Sequence, residues 1–328
     1  MNKNLRTLFL AVLVAQTTIT LAGMKRETSD DSSAPAAQSS SSQPAATQGA
    51  PEAKKAKYDF DDLIAAIETE NIEKINVILE KNPDLKTAGY NGSKTGFNCF
   101  NALHVASKLG KVSVVNSLIQ NFNVDPNTPI NNPVNNPGGG WHGWTALHIA
   151  AARGNVEVVN SLIKNFHVDP NTPINNPGSD WHGYTALHIA AANGKVDVVN
   201  LLLSKPEFHV NPNTQINNPG TPQHGWTALH FAAVIGNVDV VRAIVVGHPE
   251  NVNTIINNPG HQTNGSTALH IAAESGFEEI VDILLDNGAD ARIVNAAHGS
   301  GAVSNQTAFE LAFENNYVTI LWTHFNPI

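Results

Sequence analysis

The sequence predicts an all-α solenoid, a row of stacked helix-turn-helix units joined by long hairpin loops. Three observations predict it. The string Ala-Leu-His recurs five times at near-constant spacing, and fixed-period self-similarity is the mark of a repeat array. Each copy is followed by the same pattern of a small-residue helix, a glycine and a second helix rich in Val, Ile and Leu. Finally, 328 residues exceed what one compact core organises, so the chain is either several domains or an array without a central core. Aromatic content of 6% and charge of 14% favour the array, because short stacked helices with polar turns need little of either.

The first residues read as an export signal. Lys3 and Arg6 precede a short apolar run from Leu8 to Ala15, and Thr20-Leu21-Ala22 offers small residues for cleavage after Ala22. Gln16, Thr17 and Thr18 interrupt the run well short of the roughly 20 apolar residues that span a bilayer, so an uncleaved anchor is the second reading. Leu21-Ala22-Gly23 is followed by Met24 where a lipidated cysteine would stand, which excludes lipidation there. Residues 23–57 then shift to Ser, Ala, Pro, Gln and Thr. Such a segment buries too little apolar surface to offset ordering and reads as a disordered tether. The expected division is signal 1–22, linker 23–57 and repeat domain 58–328, the mature protein working in the periplasm, outside the cell or inside a host cell.

The repeat domain opens with a capping pair, Asp61 to Ile67 and Ile72 to Leu79, charged on the outside. The signature follows at Ala102-Leu103-His104, Ala146-Leu147-His148, Ala186-Leu187-His188, Ala228-Leu229-His230 and Ala268-Leu269-His270, the last four preceded by Thr. Thr145, Thr185, Thr227, Thr267 and Thr307 are spaced 40, 42, 40 and 40 residues apart, and Asn101 stands 44 before Thr145. In the unit from Thr145 the first helix stops at Gly154, suited to a left-handed cap, and Asn155 opens a second helix with Val156, Val159, Leu162 and Ile163 on one face. Alanines on the first helix let neighbours approach closely, and the branched residues of the second fill the space between units. Thr307-Ala308-Phe309-Glu310 begins a last, irregular unit without the His, which makes seven units with both caps.

These residues resemble the ankyrin repeat, whose units run from a Gly-x-Thr-Pro-Leu-His start through an Ala-Ala pair, a Gly and a Val-Val second helix to a Gly-Ala-Asp/Asn exit. Here Gly183-Tyr184-Thr185-Ala186-Leu187-His188, Ala190-Ala191, Gly194, Val198-Val199 and Leu203 carry the pattern, and Gly288-Ala289-Asp290-Ala291 carries the exit. Two departures stand out. Ala replaces the usual Pro at 146, 186, 228 and 268, which keeps a good helix former. Each unit also exceeds the family length of roughly 33 by about seven residues. The excess falls in connections such as Pro170 to Gly183, where Asn175-Asn176-Pro177-Gly178 reads as a turn, so the hairpin fingers should be long.

The resemblance implies a protein-binding role and a place for it. The residues between the Gly and the Thr, Trp144, Tyr184 and Trp226, would lie on the concave face as a ladder of anchors of the kind that dominate interfaces, or else pack against the neighbouring hairpin. Lys108, Leu109, Arg153, Asn193, Val234, Ile235, Glu274 and Ser275 occupy the variable positions that would line the same groove. His142, His182 and His224, with Trp141 and Trp181 beside two of them, are either turn residues, like Asn264 in the next unit, or contacts at exposed loop tips.

Other functions have less support. The five signature histidines could suggest a metal, but in this family that His hydrogen-bonds backbone near the hairpin base, and imidazoles one repeat apart cannot share a zinc ion. A metal- or ligand-binding module using the loop histidines is the alternative function. Cys99 is alone, which excludes an intrachain disulfide, and is expected as a small buried apolar residue beside Phe97 and Phe100. No GxSxG, P-loop, HExxH or CxxC occurs, so no enzyme is expected and no cofactor. A net charge of −9 with no basic stripe argues against phosphate-backbone binding. The expected partner is a protein, with no nucleic acid and no membrane insertion after signal cleavage, bound by a monomer.

Overall fold

The computed structural model describes residues 58–90, 99–131, 140–296, 305–317 and 319–320. The signal and linker assignments lie outside the described residues, as does Phe97. Among the described residues thirteen α-helices follow one another, six pairs and then a single helix. The first helices of the pairs are α1 Phe60–Glu68, α3 Ala102–Leu109, α5 Ala146–Arg153, α7 Ala186–Ala192, α9 Ala228–Ile235, α11 Ala268–Ser275 and α13 Ala308–Glu314. The second helices are α2 Ile72–Lys81, α4 Val112–Phe122, α6 Val156–Phe166, α8 Val196–Ser204, α10 Val238–Gly247 and α12 Glu278–Asp286. Among the described residues the only β pairing is an isolated bridge between Val294 and Thr307.

Each first helix begins with reciprocal bonds between the residue before it and the third helical residue, which satisfy backbone groups left open at the helix start. The Thr145 N–H donates to His148 Nδ1 at 3.2 Å, and Thr185, Thr227 and Thr267 repeat the bond with His188, His230 and His270. Asn101 does the same for His104 and also accepts from the His104 N–H at 2.9 Å. The helix ends at Gly154 with φ of +80°, in the left-handed region where glycine carries no Cβ penalty. The second helix then turns its branched face inward: Val158, Val159, Leu162 and Ile163 are buried, while Val156 is half-buried.

Stacking follows from side-chain size. The first helices form one row, each packed on the next from α1 to α13, and the second helices α4 to α12 form a parallel row. Alanines such as Ala150, Ala151, Ala190 and Ala191 are wholly buried between neighbouring first helices. The result is one continuous core from Phe60 to Ile320, in which no unit buries its apolar face alone.

Long hairpins project between units, as their sequence length requires. Ile174 and Tyr184 close one of them, with Ile174 N–H donating to Tyr184 O at 2.8 Å and Gly183 N–H to Ile174 O at 2.9 Å. Ile216 with Trp226 and Ile256 with Ser266 repeat the closure. The residues between fold into two successive turns. Ser179 N–H bonds Asn176 O and His182 N–H bonds Ser179 O, a pattern repeated over Asn218-Thr221-His224 and Asn258-His261-Asn264. Neighbouring fingers are laced by the second Asn of each Asn-Asn-Pro: the amides of Asn176, Asn218 and Asn258 donate to the carbonyls of His142, Ser179 and Thr221 in the preceding finger at 3.2, 2.8 and 3.0 Å. The extra residues thus extend the repeat contact outward.

Candidate protein-binding surface

The signature histidines are structural. Besides the N-cap bond at Nδ1, each ring donates Nε2–H to the base of the finger that follows its unit, at Thr128 O, Thr172 O, Thr214 O, Thr254 O or Gln306 O, over 2.9–3.1 Å. Both nitrogens are committed, and no lone pair is left for a metal. Burial holds His104, His148, His188 and His230 down to about 4. They are neutral pins between a helix start and a hairpin base. Among the described residues no three His, Cys, Asp or Glu side chains come together as a metal-binding group.

The loop histidines fill a turn slot. His182 Nδ1 accepts the Asn176 N–H and His224 Nδ1 accepts the Asn218 N–H, each at 3.2 Å. Asn264 Oδ1 accepts the Asn258 N–H in the same way at 2.9 Å. Asn and His are interchangeable there because each offers one acceptor at the right reach. Cys99 is half-buried rather than fully enclosed, and burial raises its thiol pKa.

The aromatic ladder is in the core, which corrects the expectation of a concave contact strip. Trp144 and Trp226 are 0% exposed and Tyr184 is 4% exposed, so none offers a face to a partner. Trp226 lies 5.1 Å from Phe231 of the helix it precedes, and Tyr184 reaches the same Phe231 at 5.3 Å from the unit before. The Trp144 and Trp226 indole N–H groups are enclosed without an acceptor among the described residues, an arrangement that apolar packing on all other sides must outweigh. Trp141 and Trp181 are not exposed tip residues either. Both are half-buried, with Trp141 at 4.8 Å from Trp144 and 5.6 Å from Phe100, and Trp181 at 5.3 Å from Trp144 and 5.2 Å from Tyr184. Together they form a continuous aromatic seam between units, in edge-to-face geometry. Val234, expected in the groove, is also buried.

The remaining groove positions stay partly open. Lys108, Leu109, Arg153, Asn193, Ile235, Glu274 and Ser275 are all half-buried and stand four or five residues after the signature His, at the end of each first helix. Asn193 caps its helix, with Nδ2 donating to Ile189 O at 2.8 Å. Leu109 and Ile235 rest on the core. The Lys108 ammonium stands 5.4 Å over Phe100 and the Arg153 guanidinium 5.9 Å over Trp141. Burial and the neighbouring Arg153 hold Lys108 down to about 8. At the far end, burial and Glu314 push Glu274 up to about 7. Glu314, four residues after Glu310 in α13, escaped the sequence reading because its unit lacks the His. Counting from Thr307 would have found it.

Among the described residues no helix is long and apolar enough to cross a membrane. No curated protein matches the chain. Among solved structures, the chain is similar to the ankyrin repeat domain of Bcl-3, described as a unique member of the IκB protein family, with a TM-score of 0.58, 21% identity, and coverage of 80% of this chain and 97% of that one. That likeness is one of fold. The family model for ankyrin repeats in three copies matches residues 103–216, 174–255, 208–295 and 242–323, which is more than half of the chain and includes all five signature histidines. The chain therefore belongs to the ankyrin-repeat family.

Proposed function

We propose that the chain is an exported, non-catalytic scaffold that binds another protein along the open ends of its first helices. One observation carries the reading. The buried positions repeat from unit to unit, whereas the half-buried positions after each signature His run through Lys108, Leu109, Arg153, Asn193, Ile235, Glu274 and Ser275. A surface whose chemistry changes at every step over an unchanging frame suits recognition rather than stability. Ankyrin repeats generally serve protein–protein interaction, which supports the same reading. The export proposal rests on the N-terminal residues alone: Lys3, Arg6, the apolar run and Thr20-Leu21-Ala22.

The test is capture from biological extract with the chain immobilised, compared with an Arg153→Glu, Ile235→Asp double variant that keeps every aromatic residue of the seam and whose helical dichroism is checked against the parent. Proteins retained by the parent and lost from the variant support the scaffold. Equal retention by both sinks the assignment of this surface. For export, N-terminal sequencing of protein from its native source should begin at Gly23, and an intact Met1 rejects processing.

A further inference from the structure

The accessible strip has a direction of charge. Its positions four and five residues after the signature His begin with cations, Lys108 and then Arg153, pass through Asn193 and Ile235, and end in carboxylates, Glu274 and then Glu314. The two ends are contiguous clusters. Lys108 over Phe100, Phe100 against Trp141 at 5.6 Å and Arg153 over Trp141 join the cationic end into one patch, and Glu274 and Glu314 stand in the last turns of α11 and α13, which pack directly on each other.

The cationic end holds a charge without an ionic partner. Arg153, half-buried over Trp141, takes part in none of the four ion pairs among the described residues, which are Lys111–Glu70, Arg242–Glu279, His248–Glu250 and Arg292–Asp290. A half-buried arginine over an indole and without an ionic partner prefers a planar carboxylate at its open side. A half-buried carboxylate, Glu274, beside the exposed Glu314 prefers a cation.

The geometry points to an extended partner segment laid along the first-helix row, with a carboxylate side chain against Arg153 and Lys108 and a lysine or arginine against Glu274 and Glu314. This rests on the scaffold reading and names the partner's chemistry. Arg153 and Glu274 lie three units apart, α5 to α11. Packed helices stand about 8–10 Å apart, so the two ends are separated by about 27 Å. An extended chain rises about 3.3 Å per residue, which places the acid and the base about eight residues apart in the partner. Between them, Asn193 and Ile235 would meet small or apolar residues.

Selection of a random 16-residue peptide display library on the full chain tests this, with the parent, Arg153→Glu and Glu274→Lys selected in parallel. Peptides enriched by the parent should pair an acidic with a basic residue about eight positions apart. Arg153→Glu should replace the acidic preference with a basic one, Glu274→Lys should do the converse, and each should weaken a parent-selected peptide at least tenfold. Arg153→Gln and Glu274→Gln, which remove the charge and keep a polar side chain, should weaken it in the same order while the dichroism spectrum stays that of the parent. Enriched peptides without charge preference, or with a preference that neither reversal moves, overturn the dipolar strip but leave the scaffold standing. Enrichment of nothing also overturns it, and capture from extract then decides the scaffold separately.

Discussion

Acidification should unfold the stack well above the pH at which most carboxylates protonate, because its repeated pins are neutral imidazoles. Burial holds His104, His148, His188 and His230 at about 4, against about 6.5 for the same rings in an unfolded chain. Between these values the unfolded chain binds protons that the folded one refuses. Stability is therefore full above about pH 6.5 and falls as the pH drops toward 4. At about pH 5 each ring costs roughly 2 kcal/mol relative to about pH 8, and the four together cost roughly 8 kcal/mol. Glu274 acts in the opposite sense. Held at about 7, it takes up its proton in the folded state first and returns about 2 kcal/mol over the same interval. The net loss of about 6 kcal/mol is comparable with the whole stability of an ordinary domain. With a urea slope of about 3 kcal/mol/M for a domain of this size, the midpoint followed by far-ultraviolet dichroism should fall by about 2 M between pH 8 and pH 5. A midpoint that stays constant across that interval would refute the claim that these rings are buried neutral.

The remaining expectations concern single positions. His188→Ala strands the Thr185 N–H and the Thr214 carbonyl and should destabilise the fold by about 2–4 kcal/mol in urea titration; a change under 1 kcal/mol, far below that estimate, would mean that water replaces the ring. Trp226→Ala removes a fully buried indole and should cost about 3–5 kcal/mol, so the triple change of Trp144, Tyr184 and Trp226 to Ala should melt the array rather than spare the fold and abolish binding; a folded triple variant with lost binding would restore the exposed ladder. Gly225→Ala sets a Cβ 2.7 Å from the Asn257 backbone nitrogen in the next finger, whereas Gly260→Ala, at a similar positive φ, meets nothing within 4 Å. The second should lose only about 1–2 kcal/mol for its left-handed backbone, and equal losses at both sites would show that the fingers do not pack that closely.

The frame was legible because it obeys local rules at every unit. The helix start, its capping residue, the small first helix, the left-handed glycine and the branched second helix are each set within a few residues of sequence. The finger length was legible as a number of residues but not as a shape. The two turns over Asn176-Ser179-His182 depend on Asn176 reaching the His142 carbonyl of the preceding finger, a contact 34 residues away with no local signal. The charged strip was half legible: its positions follow by counting from the His, but Arg153 meets Trp141, and Glu274 meets Glu314, only after the units stack.

The misplaced aromatic column had a local signal that the groove analogy outweighed. Trp144, Tyr184 and Trp226 each stand immediately before a helix N-cap, and the residue four places into each helix is Ile149, Ile189 or Phe231. An apolar residue before the cap commonly packs on the fourth helical residue and fixes the angle at which the chain enters the helix. The 5.1 Å separation of Trp226 from Phe231 is such a contact, enlarged to two aromatic rings. The same slot holds Phe100, Ser266 and Gln306 in other units, and all three are buried as well. Its burial is therefore a property of the backbone position and not of the residue in it. The backbone carbonyls of Trp144, Tyr184, Trp226 and Ser266 accept the N–H groups of Ile130, Ile174, Ile216 and Ile256, which commits the slot to the hairpin base in every unit. A large ring in that slot has nowhere to go but the seam between repeats. Arg153 and Glu274, in the last turns of their small-residue helices, are only half-buried and keep an open side.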